Sequence, residues 1–470
     1  MIETQTRTSP IKTDAVDLPN ALLKLSREGW KPALFESQRN FLTLAGVSDQ
    51  LLTIPIYSNY RRLPTFLNGD IFFKDSDLYY LVLIGPGNRP VLDRSGRIVR
   101  LEENNSPILE LGVISNSSPN LDDRLLGFIN AVEDSIKSSL DGRKARHINF
   151  EWRELKPRNP GLERIMQSEG DQGELTLNGA CVIEEELQAA KALTSKTARE
   201  TLIELSQAVF VRERDFFGRK TKNQDEVRAA IEALRSANLI NVEHLLECKR
   251  SGAPLTRIKD INELKSAEVS ELVCGSCGKT FEHELISEGY SLSDLGRKMS
   301  RQSYWMTVWV TELLVRLGVP QESILWNVSE AGDEVDILVG FLGQIWIFEL
   351  KDREFGSGDA YPLNYRQVRY RANKAIIITT DRIARDAKKV FEEVLRDARR
   401  PERSGPVYIE GLEAAEGILR EELSEAALGY ASQRISMLGE MSGYDLATVL
   451  ASRFGGQIKN IVELDSDISF

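Results

Sequence analysis

Asp336-Ile-Leu-Val-Gly-Phe-Leu-Gly-Gln-Ile-Trp-Ile-Phe-Glu349-Leu-Lys351 is the stretch from which the rest of the chain is best read. Residues 334–340 and 344–351 are short runs of mostly β-branched, aliphatic and aromatic side chains, and the Gly-Phe-Leu-Gly between them suits a hairpin turn. Alternation puts Ile345, Ile347, Glu349 and Lys351 on one face of the second run and Trp346, Phe348 and Leu350 on the other. Both faces are apolar until the charged end, which is the pattern of a central strand. Charges left unpaired at the end of such a strand cost several kcal/mol each. Asp336 and Glu349 are therefore expected side by side, with Lys351 close to them.

Two carboxylates held close raise each other's pKa unless a cation neutralises them, and hard oxygen donors suit Mg²⁺ or Mn²⁺. A metal site is the simplest explanation. An ion there would activate water and screen a phosphate, while Lys351 orients the nucleophile or steadies developing charge. The competing reading is a solvated sheet edge with a Glu349–Lys351 ion pair.

At these residues the chain resembles the PD-(D/E)xK nuclease superfamily: Asp336 matches its first acid, and Glu349 and Lys351 match its Glu-x-Lys. The resemblance covers about residues 300–400. It implies Asp336 and Glu349 as Mg²⁺ ligands and Lys351 as a catalytic partner. Residues 303–317 (SYWMTVWVTELLVRL) read as an amphipathic helix with Trp305, Trp309 and Glu312 on one stripe. Many superfamily members place a supporting Glu on such a helix, so Glu312 is the fourth expected site residue. Residues 374–380 (KAIIITT) read as a buried strand and 382–396 as a helix, similar to the continuation in Mrr-type restriction endonucleases. The implied activity is metal-dependent cleavage of DNA phosphodiesters in bacterial restriction or anti-phage defence. Arg353, Tyr365, Gln367 and Arg369, just after the site, are expected to grip the strand being cut, unless they form an ordinary exposed loop. A nuclease fold kept only for nucleic-acid binding or regulation is a second reading. An effector gated by a ligand or partner at the amino-terminal domain is a third.

The 470 residues suffice for about three domains. A net charge of −11 excludes a globally basic DNA-coating protein but leaves room for local patches. No run of about 18 apolar residues appears and the start (MIETQTRTSPIKTD) has no apolar signal core, so a cytoplasmic protein without membrane contact is expected. Four cysteines make no disulfide framework.

Residues 1–155 read as an α+β domain of unassigned role, with strand-like runs at 51–58, 70–73, 78–84 and 108–114 and a helix over 122–140. Gly85-Pro-Gly87 is a turn rather than a phosphate loop, because a second strand follows it, and His147 stands alone. Residues 156–194 read as linker and helix. Residues 195–260 then run helix, short basic element, helix capped by Asn223, and a hairpin-like segment, an order that resembles a winged helix-turn-helix domain. That resemblance assigns Arg228, Arg235, Lys249 and Arg250 to phosphate contact; a protein-pairing module with an ordinary solvated face is the alternative. In residues 261–299, Cys274-Gly-Ser-Cys277-Gly resembles half of a zinc ribbon. Cys248 and His283 are available to complete four ligands, against a metal-free remnant or a redox pair. Residues 300–405 are the nuclease-like core and 406–470 a helical extension that caps the core or makes a homodimer. The expected fold class is α+β multidomain, with a restriction-endonuclease-like core built on a central mixed sheet flanked by helices.

Overall fold

The structure, a computed structural model, describes residues 2–11, 18–44, 69–84, 87–92, 98–104, 107–116, 120–140, 148–157, 159–168, 175–218, 224–266, 269, 271–330, 333–397 and 405–454. The expected strand at 51–58, His147 and the Asn223 cap lie outside them. The chain is mixed α+β and falls into two compact units, Met1–Arg158 with Arg420–Phe470, and Asn159–Leu419.

The first unit is built on an antiparallel sheet in the order Gly69–Lys74, Asp77–Ile84, Ile108–Ser115, Glu3–Pro10, Arg153–Glu154. One face of it, with Tyr79, Leu81, Leu111 and Val113, packs against Leu22 and Leu25 of helix Leu18–Arg27 and Phe128 and Val132 of helix Leu121–Ser139. Asp70 is fully buried at the sheet edge, where its carboxylate accepts the backbone N–H groups of Leu34 and Phe35, both at 2.8 Å. It thereby satisfies the start of helix Ala33–Leu44. The opposite face carries Thr6, Tyr80 and Glu110. Arg434 of helix Ala415–Ser442 ion-pairs with Glu110, and a Cβ on Gly69 would come within 2.8 Å of Leu438 Cδ2. The expectation that residues 406–470 form one extension is thus corrected. From Arg420 onward they belong with the amino-terminal sheet, whose second face needs an apolar cover.

The second unit holds two sheets. The larger runs Val407–Glu410, Lys374–Thr379, Gln344–Lys351, Asp333–Phe341, Ile324–Glu330, Leu175–Gly179. It is parallel on one side of Gln344–Lys351 and antiparallel on the other, so this strand is central, as its two apolar faces foretold. Helices Ser357–Arg369 and Arg385–Asp397 cover one face through Ala360, Leu363, Ala387 and Phe391. The smaller sheet runs Pro254–Ile258, Ile240–Glu247, Leu285–Leu292, Val211–Arg212, with helix Lys196–Ser206 before Val211–Arg212 in the chain and helices Glu213–Gly218 and Gln224–Ser236 between it and Ile240–Glu247.

The supposed linker is part of this unit. Asn159 Nδ2 donates to the Gln344 carbonyl at 2.6 Å, a Cβ on Gly161 would sit 2.5 Å from Ile345 Cδ1, and Leu175–Gly179 pairs with Ile324–Glu330 as the edge strand. Composition marked a linker because Pro, Gly and charge dominate locally. Leu162 and the Gly161 contact tie the segment to the sheet all the same.

Candidate functional site

Strands Asp333–Phe341 and Gln344–Lys351 are joined by Leu342 (φ 47°) and Gly343 (φ 83°), a pair of left-handed residues that gives the primed turn a tight hairpin needs. Register follows from that turn. Ile337 faces Phe348, so the next positions outward, Asp336 and Glu349, are neighbours. Asp336 Oδ2 accepts the Leu350 N–H at 2.6 Å. Glu349 is 3% exposed, and its two oxygens meet Lys351 Nζ and Arg366 Nη1, each at 2.7 Å. A carboxylate buried this deeply needs such partners.

The pair opens on a cleft of about 470 Å³, lined also by Lys298, Arg301, Glu334, Arg353, Tyr304 and Asn327. Backbone strain concentrates on its rim. Gln302 (φ 46°) and Ser303 (φ 57°) are both left-handed where helix Tyr304–Arg316 begins, and Asn327 (φ 47°) interrupts its strand opposite Asp336. Buried Glu186 fixes two of the lining side chains, pairing with Lys298 and accepting from the Tyr304 hydroxyl at 3.2 Å. Behind the cleft, Asp352 gathers Arg199 Nε at 2.9 Å, Trp305 Nε1 at 3.1 Å and Thr380 Oγ1 at 2.8 Å, which anchors the end of the lysine strand.

Burial, and after it the charge of Glu349, pushes the Asp336 carboxyl up to about 7 even though Lys351, the Leu350 N–H and Arg366 oppose this. Burial alone would lower the pKa of Lys351, but Glu349 and Asp336 outweigh it and hold the ammonium above its usual range. Burial leaves the Asp336 carboxyl poorly solvated beside a second carboxylate. The donors are hard oxygens and the cleft has room for water and phosphate, so the residues fit a divalent cation of the Mg²⁺ type. Among the described residues the only group of three or more close metal-ligating side chains is elsewhere, at Cys248, Cys274, Cys277 and Glu284. Asp336 and Glu349 would therefore hold an ion together with water and substrate oxygens.

Several expected site residues stand apart from the cleft. Its helical wall is Ser303, Tyr304 and Thr307, and one turn on Thr311 accepts the Trp326 indole N–H at 2.7 Å. Glu312 lies about 100° round the helix from Thr311 and does not line the cleft. The stripe of Trp305, Trp309 and Glu312 is rotated away from the site. Gln367 is buried, which corrects its reading as a nucleic-acid contact. Arg353 lines the cleft while held by both oxygens of Asp359 at 2.9 Å, and Arg369 donates to the exposed Tyr365 hydroxyl at 3.1 Å. Arg228 packs over the Phe217 ring and meets Glu213 at 3.4 Å, Arg235 lies 3.9 Å from Glu232, and Lys249 and Arg250 occupy the exposed turn of the Ile240–Glu247 hairpin. His283 is exposed and bonded to Thr280 Oγ1 at 2.8 Å, outside the cysteine cluster; its neighbour Glu284 is inside it.

Glu334, Arg366, Lys298 and Asn327 escaped sequence reading. Only Glu334 had a local signal, its place two residues before Asp336 on the same strand face.

No protein-family profile matches the chain, and no curated protein is similar to it in sequence. Among solved structures, the protein VC1899 from Vibrio cholerae is 11% identical with a TM-score of 0.35, over 60% of this chain and 67% of that one. Can2 from Sulfobacillus thermosulfidooxidans, in complex with cyclic tetra-adenylate, is 13% identical with a TM-score of 0.31, over 58% and 64%. AF1548, a protein of unknown function, is 17% identical with a TM-score of 0.18, over 32% and 94%. The chain spans about two thirds of the length of the first two. These likenesses are slight, and the functional reading rests on the residues of the cleft. No helix among the described residues is long and apolar enough to cross a membrane.

Proposed function

We propose that the second unit is a metal-dependent endonuclease of PD-(D/E)xK type acting on DNA, with Asp336, Glu349 and Lys351 at its centre. One observation carries the reading. The two carboxylates and the lysine lie at one end of a central hairpin, in a cleft that also gathers Lys298, Arg301, Arg353 and Arg366. Carboxylates ringed by cations suit a substrate that brings both phosphate and metal. Asp336 and Glu349 would hold Mg²⁺ or Mn²⁺, which would supply Lewis acidity toward the scissile phosphate. The Leu350 N–H fixes Asp336, and Arg366 and Lys351 fix Glu349, so both carboxylates are held in place before substrate arrives. Lys351 Nζ, charged across the neutral range, stabilises negative charge that builds on the phosphoryl oxygens. Lys298 and Arg301 take flanking phosphates, with Glu186 holding Lys298 in place. A role in restriction or anti-phage defence belongs to the same proposal.

A second reading has its own support: both oxygens of Glu349 are already engaged by cations, which suits a module that binds nucleic acid without cutting it. Cleavage of plasmid, single-stranded DNA and RNA with Mg²⁺ or Mn²⁺, comparing the intact chain with Asp336→Ala and Lys351→Ala, separates the two. Cutting of duplex DNA by the intact chain alone supports the endonuclease. Metal-independent binding with no cutting of any substrate supports the binding module.

A further inference from the structure

The turn at Cys248, a residue the sequence already offered as a ligand, is built like the turn at Cys274. Around Cys274, the Cys N–H donates to the Lys279 carbonyl at 2.8 Å, the Gly278 N–H donates to the Cys274 carbonyl at 2.8 Å, and Gly278 is left-handed at φ 74°. Around Cys248, the Cys N–H donates to the Ala253 carbonyl at 2.9 Å, the Gly252 N–H donates to the Cys248 carbonyl at 2.7 Å, and Gly252 is left-handed at φ 69°. The two turns are the same knuckle, Cys-x-x-Cys-Gly in one and Cys-x-x-Ser-Gly in the other, with Ser251 at the place Cys277 takes in its own turn.

The side chains agree with that backbone. One ligand atom each from Cys248, Cys274, Cys277 and Glu284 lies within 4.8 Å of every other. Cys248 and Cys274 are buried, and Cys248, Cys274 and Cys277 are all free thiols. The Ser276 N–H points at Cys274 Sγ at 3.4 Å, a bond that favours a thiolate. Glu284 is 4% exposed and turned inward, accepting the Cys277 thiol and the Lys249 N–H, each at 2.6 Å. The apolar cluster beneath, with Leu246, Ile258, Leu264 and Phe281 as its buried members, is small for the turns it supports.

We infer that Cys248, Cys274, Cys277 and Glu284 bind one zinc ion that fastens the turn of the Ile240–Glu247 hairpin to the second knuckle and to the start of strand Leu285–Leu292. Soft thiolates select zinc over the hard cation proposed for the cleft. Four protein donors leave no open position, which makes the site structural. Glu284 stands in for the ligand lost at position 251, and His283 takes no part.

Elemental analysis of the purified full chain should find about one zinc per chain. Cobalt exchanged into it should show thiolate-to-metal charge transfer and the absorption of a tetrahedral site. His283→Ala should keep the zinc, and Cys274→Ser should lose it. Glu284→Ala should bind at least about tenfold more weakly, with Ser251→Cys in the same chain restoring the affinity through the vacated knuckle position. If the chain holds less than about a tenth of an ion both as purified and after incubation with zinc chloride, and cobalt gives no charge-transfer band, the site is refuted. Zinc lost in His283→Ala, or a Ser251→Cys substitution that fails to rescue a folded Glu284→Ala chain, would overturn the ligand set.

Discussion

Asp70 in the first unit and Asp336 in the second are both raised to about 7 chiefly by burial, yet they sit in opposite kinds of place. Asp70 is fully buried, its carboxylate used up by the N–H groups of Leu34, Phe35 and Ile71. Asp336 faces a cleft, has one backbone donor, and shares its surroundings with Glu349, Lys351 and Arg366. The difference teaches that a displaced pKa marks a burial problem, and that its neighbours tell whether structure or chemistry is the answer. At Asp70 the backbone completes the set of partners. At Asp336 the set is left open toward solvent, where a cation and a phosphate would enter.

The contrast predicts opposite phenotypes, the largest on activity. Asp336→Asn should lower phosphodiester cleavage by about 10³-fold while leaving the thermal midpoint nearly unchanged; a midpoint that falls with the activity would make Asp336 a second Asp70. Asp70→Ala should do the reverse. It strands buried N–H donors at a cost of about 3 kcal/mol, read from urea denaturation, and leaves cleavage by the folded fraction intact.

A third prediction concerns pH. Because the folded-state pKa of Asp70 is raised above its ordinary 3.8, its contribution to stability is fully present below that value and is lost as pH rises through about 7. Denaturation midpoints measured from pH 4 to 8 should therefore decline less steeply in Asp70→Asn than in the parent chain; equal slopes would mean the three N–H donors keep the carboxylate charged. The smallest effect is expected at Glu186, another buried carboxylate, which positions Lys298 and Tyr304 and faces the cleft only through them. Glu186→Gln should raise KM for DNA about threefold to tenfold with kcat little changed. A fall in kcat alone would place Glu186 in the chemistry.

Much of the site was legible because it is local. Two runs of period-two alternation and a four-residue turn put Asp336, Glu349 and Lys351 together, and backbone geometry leaves little freedom in that step. Glu312 misled because an amphipathic helix announces that it has a buried face but not which neighbour that face meets. Tyr304 and Thr307 turn to the cleft instead. The cysteine cluster differed from its reading in one member, His283, for a related reason. A knuckle shows itself through its second cysteine, and with Ser251 in that place the Cys248 turn looked like an ordinary hairpin tip. His283 then drew attention by residue type, while Glu284 at the next position was the group turned inward.

The sequence by itself determined the mixed α+β character, the central hairpin with its carboxylates and lysine, a turn within residues 340–343 and the spacing of the Cys274 and Cys277 thiols. All of these follow from spacing, alternation and side-chain chemistry within a few residues. Tertiary structure alone decided that Arg366 reaches Glu349, that Glu186 holds Lys298, that the segment after Asn159 joins the larger sheet and that the helix carrying Arg434 covers the amino-terminal one. Each of these joins residues far apart in the chain. Such contacts form only where the packing of whole faces lowers the free energy enough to offset the entropy of closing long loops, and no short stretch of sequence carries that sum.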